Sequence, residues 1–296
     1  MTFLVGCTNA VNLCNKVSEI ANLPLAKTEV KNFPDGEIYV RLDEKLEGED
    51  VVVIQSGYPN QNDALIELLL TLDAVKDMEP KKVSLILTYM PYSKQDKRFK
   101  NGETVSAGTV LKLIKNFKIN EICVTNLHFA KGENNFDFFN MDIKNLNAAP
   151  LIAGYVKHKY GDFITVLPGK GSSYLLSEGE VIFLETRRNE YTVTDRKYFG
   201  ESRIIANELK NVKGKNVLVL DDMINTGGTM AKICELVRRD GANKVISACI
   251  HGLFVGNAIE KLENARVDEI ISTDTVESKF SKVSVAPLIA ERMKKL

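Results

Sequence analysis

The densest chemistry in the chain lies in Asn216–Met230, NVLVLDDMINTGGTM. An apolar strand delivers two adjacent carboxylates, Asp221 and Asp222. A turn of small residues follows, Asn225-Thr226-Gly227-Gly228-Thr229, and then a helical stripe at Ile233, Leu236 and Val237. Glycines let a backbone approach a ligand closely, and a helix N-terminus presents unpaired N–H groups to an anion. Thr226 and Thr229 add hydroxyl donors. The carboxylates suit sugar hydroxyls or a sugar-bound cation, so a phosphorylated sugar is the expected ligand. An acidic strand end beside a glycine turn also occurs in α/β proteins without this role. Here the acidic pair, the turn and the helix come together in the right order. Neither GxxxxGK[ST] nor GxGxxG is present, so no P-loop or dinucleotide fingerprint competes.

Three further groups carry chemistry. Pro34-Asp35-Gly36-Glu37 is a hairpin turn between strand-like flanks, and a turn alone accounts for its composition. Phe33 beside it can stack on a base, and Asp35 and Glu37 can accept hydrogen bonds from an exocyclic amine. Tyr92–Arg98 reads either as a solvated helix start or as a ligand segment. Lys94, Lys97 and Arg98 interleave with Gln95 and Asp96 just after a strand ending near Leu87, the usual ligand position in an open sheet. His128 and His251 each end an expected strand, whereas His158 reads as surface.

The elements that must position these residues alternate short β-branched runs with amphipathic helices, the pattern of parallel sheets flanked by helices. Strands are expected at Thr2–Gly6, Val51–Gln55, Val83–Leu87 and Ile122–Asn126. In the second half they are expected at Phe163–Leu167, Val181–Leu184, Asn216–Leu220, Lys244–Cys249 and Glu269–Ser272. Asp63–Lys76 carries a helical apolar stripe. Gly108–His128 and Ala231–His251 align without a gap, each reading helix, polar turn, strand and histidine. This faint repeat points to two similar domains. They are expected at 1–147 and 148–296, with the Gly/Asn-rich stretch Lys131–Pro150 as the crossing and Ala286–Leu296 as a helix that packs back on the first domain.

A length of 296 residues suits two domains, and 44% apolar with 26% charged residues is ordinary globular composition. The 39 Lys+Arg cancel the 39 Asp+Glu, which argues against a coat for nucleic acid. No apolar stretch approaches membrane-span length, and no basic segment precedes the first apolar residues. A cytoplasmic protein is therefore expected, contacting neither membrane nor nucleic acid. Cys7, Cys14, Cys123, Cys234 and Cys249 form no CxxC pair and read as buried thiols in a reducing compartment. Three histidines make a dedicated zinc site improbable, while a hard cation held by carboxylates and phosphates stays open.

Val219–Met230 resembles the ribose-phosphate loop of type I phosphoribosyltransferases. Asn32–Leu42 (NFPDGEIYVRL) and Tyr89–Arg98 (YMPYSKQDKR) narrow the resemblance to the ribose-phosphate pyrophosphokinases, archaeal in style. Thr273–Val285 is similar to that family's C-terminal region, so the resemblance covers essentially the whole chain. It implies two type I phosphoribosyltransferase-type α/β domains, each a mainly parallel sheet flanked by helices. It also implies transfer of the diphosphoryl group of ATP to ribose 5-phosphate, giving phosphoribosyl pyrophosphate and AMP. By resemblance, Asn225, Thr226, Gly227, Gly228 and Thr229 hold the 5-phosphate, and Asp221 with Asp222 hold the ribose. Phe33, Asp35, Gly36, Glu37, Lys94, Gln95, Asp96 and Arg98 would hold ATP, and His128 would help hold Mg²⁺. In this family the hairpin usually completes a neighbouring subunit's site, so a homo-oligomer is implied.

The catalytic segments depart from the family pattern. Pro168-Gly169-Lys170-Gly171 puts glycine where the family carries a carboxylate that bears on metal and ribose. Glu185-Thr186-Arg187-Arg188 puts threonine where the family carries a catalytic lysine and keeps an arginine at Arg188. The helix between these segments reads as shortened. Two readings stand at this point. One is a working synthetase in which Arg187, Arg188 or Lys170 supplies the missing charge. The other is a catalytically impaired paralogue that binds nucleotide or ribose phosphate and serves as a regulatory or partner subunit. A plain phosphoribosyltransferase would leave the nucleotide hairpin idle.

Overall fold

The computed structural model describes residues 1–296 apart from 131, 133, 170–171, 173, 176–179, 188–202, 206–211 and 295–296. For 134, 185–187 and 203–205 it describes the backbone alone. Residues 1–148 with 273–296 form one compact unit, and 149–272 form the other.

The first unit opens with β1 (Thr2–Gly6) and α1 (Val11–Ala21). A two-stranded antiparallel ribbon follows, β2 (Thr28–Asn32) and β3 (Ile38–Leu42), with Val30 opposite Val40. Then come β4 (Asp50–Ser56), α2 (Gln61–Asp77), β5 (Lys82–Tyr89), α3 (Ser106–Lys115) and β6 (Glu121–Thr125). The hairpin β7 (Asn134–Asp137) and β8 (Asp142–Leu146) completes the main sheet, whose order is β1-β4-β5-β6-β8-β7. All neighbours are parallel except β7, which runs antiparallel on the edge. Val53, Leu85, Leu87 and Val124 from the central strands are fully buried, as are Leu72 and Val75 of α2 and Leu111 and Ile114 of α3. Each such side chain contributes about 1.5–3 kcal/mol by leaving water.

The second unit comprises α4 (Ala149–Tyr160), β9 (Phe163–Leu167), β10 (Val181–Phe183), and the short antiparallel pair β11 (Glu185–Arg187) and β12 (Arg203–Ile205). It continues with β13 (Asn216–Ile224), α5 (Gly228–Arg239), β14 (Lys244–Gly252), α6 (Ala258–Asn264) and β15 (Glu269–Thr273). Strands β10-β9-β13-β14-β15 are neighbours in that order and all parallel. α5 buries Met230, Ile233, Cys234 and Val237 and exposes Lys232 and Glu235, as its sequence spacing dictates.

Two expectations are corrected. The 131–150 stretch is no simple crossing: most of its described part is the β7–β8 hairpin, because Phe136, Phe138, Met141 and Ile143 pack on the first core. Gly132, Asn140 and Asn147 lie outside the strands, whereas Asn134, Asn135 and Asn145 are paired within them. The C-terminal segment also leaves the 148–296 domain, earlier than the expected return of the Ala286–Leu296 helix to the first domain. After β15, β16 (Ser281–Val283) and α7 (Ala286–Met293) belong to the first unit. Lys16 pairs with Asp274, the Thr275 carbonyl accepts the hydroxyls of Ser56 and Thr88, and Arg292 pairs with Glu121. None of these long-range partners is visible as a local pattern.

Candidate active site

In the second unit β13 keeps its parallel pairing through the acidic pair: Asp221 lies opposite Cys249 and Met223 opposite His251. The strand therefore ends at Ile224, four residues beyond the expected Leu220. Asp222 is 8% exposed. The Asp221 carboxylate accepts the Asp222 backbone N–H at 2.9 Å and the Ser172 hydroxyl at 3.4 Å. Burial first, and the Asp222 charge second, hold Asp221 well above the usual carboxylate range.

The loop that follows is closely built. Leu253 and Phe254 donate their N–H groups to the Ile224 carbonyl at 3.1 and 3.0 Å, and Val255 donates to the Asn225 carbonyl at 2.8 Å. Lys261 Nζ donates to the Thr226 carbonyl at 3.0 Å. Gly227 has φ +73°, and a Cβ there would stand 2.9 Å from the Ala258 carbonyl oxygen, so both conformation and space demand glycine. Gly228 opens α5 with open space where a Cβ would be. The Ala231 N–H returns to the Gly227 carbonyl at 2.9 Å, starting the helix. Among the described residues the amides of Gly227–Met230 have no backbone acceptor, and Thr226, Gly228 and Thr229 are exposed. The expected anion loop thus has the free donors that an anion needs.

In the first unit the nucleotide candidates sit on two separate elements. Phe33–Glu37 cap the β2–β3 ribbon. The Glu37 N–H bonds the Asp35 carboxylate at 3.1 Å, and Gly36 has φ +96°. Phe33, 44% exposed, packs edge-on against Tyr39, over which Lys31 lies. Every described hydrogen bond of residues 33–37 stays within the ribbon. Lys94–Arg98 lie in irregular chain after β5, with Lys94 and Arg98 exposed and Asp96 half-buried. Gln95 is engaged with the start of α3: its side-chain oxygen accepts the Ser106 hydroxyl at 2.5 Å and its carbonyl the Ala107 N–H at 3.2 Å.

His128 is exposed three residues beyond β6. The turn that carries it is held by Asn126, whose side-chain oxygen accepts the Ala148 N–H, and by Asn145, which accepts the Leu127 N–H, both at 2.8 Å. His251, its counterpart in the repeat, is instead buried inside β14. Among the described residues no group of three or more His, Cys, Asp or Glu could hold a metal ion. The oxygen donors Asp221 and Asp222 fit a hard cation that arrives on substrate phosphates and needs only one or two carboxylates.

Gly169 has φ +118°, a backbone that side-chain-bearing residues rarely adopt. Arg187 is in β11, where the backbone alone is described, while Arg188 and Lys170 lie outside the described residues. The five cysteines are all buried free thiols, and burial pushes Cys123 up to about 11 and Cys234 to about 12. No described helix is long and apolar enough to cross a membrane. Sequence reading missed Ser172 and Lys261. Each lies more than 30 residues from its partner in the site, with no spacing to betray it.

Comparison with known proteins agrees with this picture. Residues 2–117 match the family description of the N-terminal domain of ribose phosphate pyrophosphokinase, and residues 176–286 match that of the phosphoribosyl transferase domain. A ribose-phosphate pyrophosphokinase of Pyrococcus furiosus is 38% identical over 97% of this chain and 98% of its own. That of Sulfolobus acidocaldarius is 36% identical over 95% and 96%. The crystal structure of phosphoribosylpyrophosphate synthetase from Mycobacterium smegmatis superposes with a TM-score of 0.81 at 29% identity, covering 99% of this chain and 97% of that one. Two phosphoribosyltransferase-type domains, a pinned glycine loop beside paired carboxylates, and relatives of one name matched over nearly their whole length converge: the chain belongs to the ribose-phosphate pyrophosphokinase family.

Proposed function

We propose that the protein transfers the diphosphoryl group of ATP to ribose 5-phosphate, giving phosphoribosyl pyrophosphate and AMP. The observation that carries this reading is the carbonyl-pinned, glycine-dependent loop at Asn225–Thr229 beside Asp221 and Asp222. The 5-phosphate lies on the loop amides and the Thr226 and Thr229 hydroxyls. Asp221 and Asp222 accept hydrogen bonds from ribose hydroxyls, placing the anomeric hydroxyl for in-line attack on the β-phosphorus. Such a reaction needs positioning and charge neutralisation more than covalent help.

Phe33 stacks on the adenine while Asp35, Gly36 and Glu37 read its edge. The closed hydrogen bonding of residues 33–37 leaves the face of Phe33 available to a ligand or a second copy of the chain, which supports a homo-oligomer. Lys94, Gln95, Asp96 and Arg98 hold the nucleotide's polar parts, with Gln95 fixed by Ser106. His128 would help hold Mg²⁺ carried by ATP, and that cation would neutralise charge on the transferred phosphates. Arg187 and Arg188 supply the cation that Thr186 does not. A metabolic enzyme of this kind belongs in the cytoplasm, without membrane or nucleic-acid partner. The test is AMP formation from ATP by the purified protein: strict dependence on ribose 5-phosphate supports the reading, and none under any condition refutes it.

A further inference from the structure

Three successive carbonyls of the anion loop are pinned on one side. Ile224 accepts from Leu253 and Phe254, Asn225 from Val255, and Thr226 from Lys261 Nζ. A trans peptide holds its C=O and the following N–H antiparallel. The cis peptide found among the described residues is Tyr58–Pro59, well outside this loop. Tying these carbonyls to residues 253–261 therefore turns the N–H groups of Asn225, Thr226 and Gly227 to the opposite side. That row of donors runs on into the first turn of α5.

The first two ties are backbone to backbone and survive any side-chain replacement. The third is a side chain alone. Among the described residues Lys261 donates to the Thr226 carbonyl and forms no ion pair. A half-buried lysine that spends its charge on one loop carbonyl loses rotamer freedom without gaining an ion pair.

We propose that Lys261 is a positioning residue for ribose 5-phosphate: its ammonium locks the Thr226–Gly227 peptide so that the Gly227 N–H faces the anion. The proposal rests on the assignment of the Asn225–Thr229 loop to the 5-phosphate. Gly227 is also where α6 presses on the loop, through Ala258, so α6 sets both the conformation of this peptide and its orientation. The lysine's positive charge lies next to the loop without occupying the ligand's place.

The test measures ribose 5-phosphate binding by calorimetry, and turnover in parallel, for wild type, Lys261→Met and Lys261→Arg. Methionine keeps the apolar stem and removes the donor, while arginine keeps a charged donor. Lys261→Met is expected to weaken ribose 5-phosphate binding about tenfold, the scale of a charge-assisted hydrogen bond, and to raise the KM for that substrate alike. The expected kcat and KM for ATP stay within about twofold, thermal stability stays near wild type, and Lys261→Arg recovers most of the affinity. Unchanged affinity in Lys261→Met overturns the proposal. So does a joint loss of kcat, both affinities and melting temperature that arginine fails to rescue, since that pattern marks a structural role. Wild type that binds ribose 5-phosphate but makes no AMP overturns the proposed activity instead, and the binding series still decides the role of Lys261. Wild type that fails to bind ribose 5-phosphate overturns both.

Discussion

Arg292, on the last helix, forks its guanidinium onto the carboxylate of Glu121 at the start of β6, with Nε at 3.0 Å. Lys144 reaches the other carboxylate oxygen at 2.8 Å. Burial opposes the charge on Glu121, but the hydrogen bonds from Lys144 and Arg292 outweigh it and hold the carboxyl below its ordinary value. A lowered acid stabilises the fold at pH above its unfolded value of 4.5, and that contribution is lost as pH falls through the folded value. Glu121→Gln should therefore cost about 2–3 kcal/mol at pH 7, read by urea denaturation, because it leaves two cations poorly paired. The gap to wild type should narrow steadily below pH 4.5. A gap that persists undiminished at pH 3 would contradict the ion-pair account.

Asp221 carries the opposite sign. Its folded value lies above the unfolded one, so the folded state holds its proton longer and the carboxylate costs stability increasingly as pH rises between the two. Asp221→Asn keeps an oxygen for the Ser172 hydroxyl and the Asp222 N–H. We expect it to gain about 1 kcal/mol at pH 7–8, a rise of about 2–4 °C in melting temperature, with no gain near pH 3. Ribose 5-phosphate binding should weaken in the same variant. A stability gain equal at all pH values would rule out the buried charge as its source.

Neighbouring glycines should respond differently. Gly227 combines φ +73° with a Cβ position 2.9–3.2 Å from Ala258, so Gly227→Ala is expected to destabilise the protein by about 2 kcal/mol or more. Gly228 has open space around its Cβ position, so Gly228→Leu should fold with a near-native melting temperature. Its side chain would stand in the anion's place, and ribose 5-phosphate binding should vanish. Retained binding in Gly228→Leu would detach the loop from the phosphate.

Turnover is the readout for the catalytic segments. Arg187→Ala or Lys170→Ala should lower kcat by about 10³-fold or more with little change in ATP affinity, according to which of them replaces the charge that Thr186 lacks. Thr186→Lys should recover some rate in the slower variant. Adding Gly169→Asp should not simply restore the family's carboxylate, because φ +118° at that position strains any side-chain-bearing residue. Turnover indifferent to both alanine changes would place the charge elsewhere.

Central strands were legible because a parallel strand covered on both faces is a continuous apolar run; Val51–Ile54 is such a case. β13 was read short for the same reason: Asp221-Asp222 ends the apolar run, yet its backbone pairs on to Ile224. In 131–150 the polar turn residues concealed Phe136 and Phe138, whose alternation marks an edge strand. The Asn225–Thr229 loop stood out as a candidate because glycines, hydroxyls and acids occur consecutively. Ser172, Ser106 and Lys261 act on it or on the nucleotide segment from other elements, and distance in sequence hides such partners. The paired histidines of the repeat, one exposed and one buried, show that equal spacing does not confer equal environment.

The return of residues 273–296 to the first unit has a consequence for synthesis. A ribosome delivers the segment 1–148 first, but Glu121 then waits for Arg292, and Ser56 and Thr88 wait for the Thr275 carbonyl. All of 149–272 must be made in between, which takes several seconds at about 5–20 residues per second. During that interval the nascent first unit carries an unclosed flank beside α1, where α7 will pack. The unit that begins the chain is thus the last to be completed, and its exposed flank is where a chaperone would find the emerging protein.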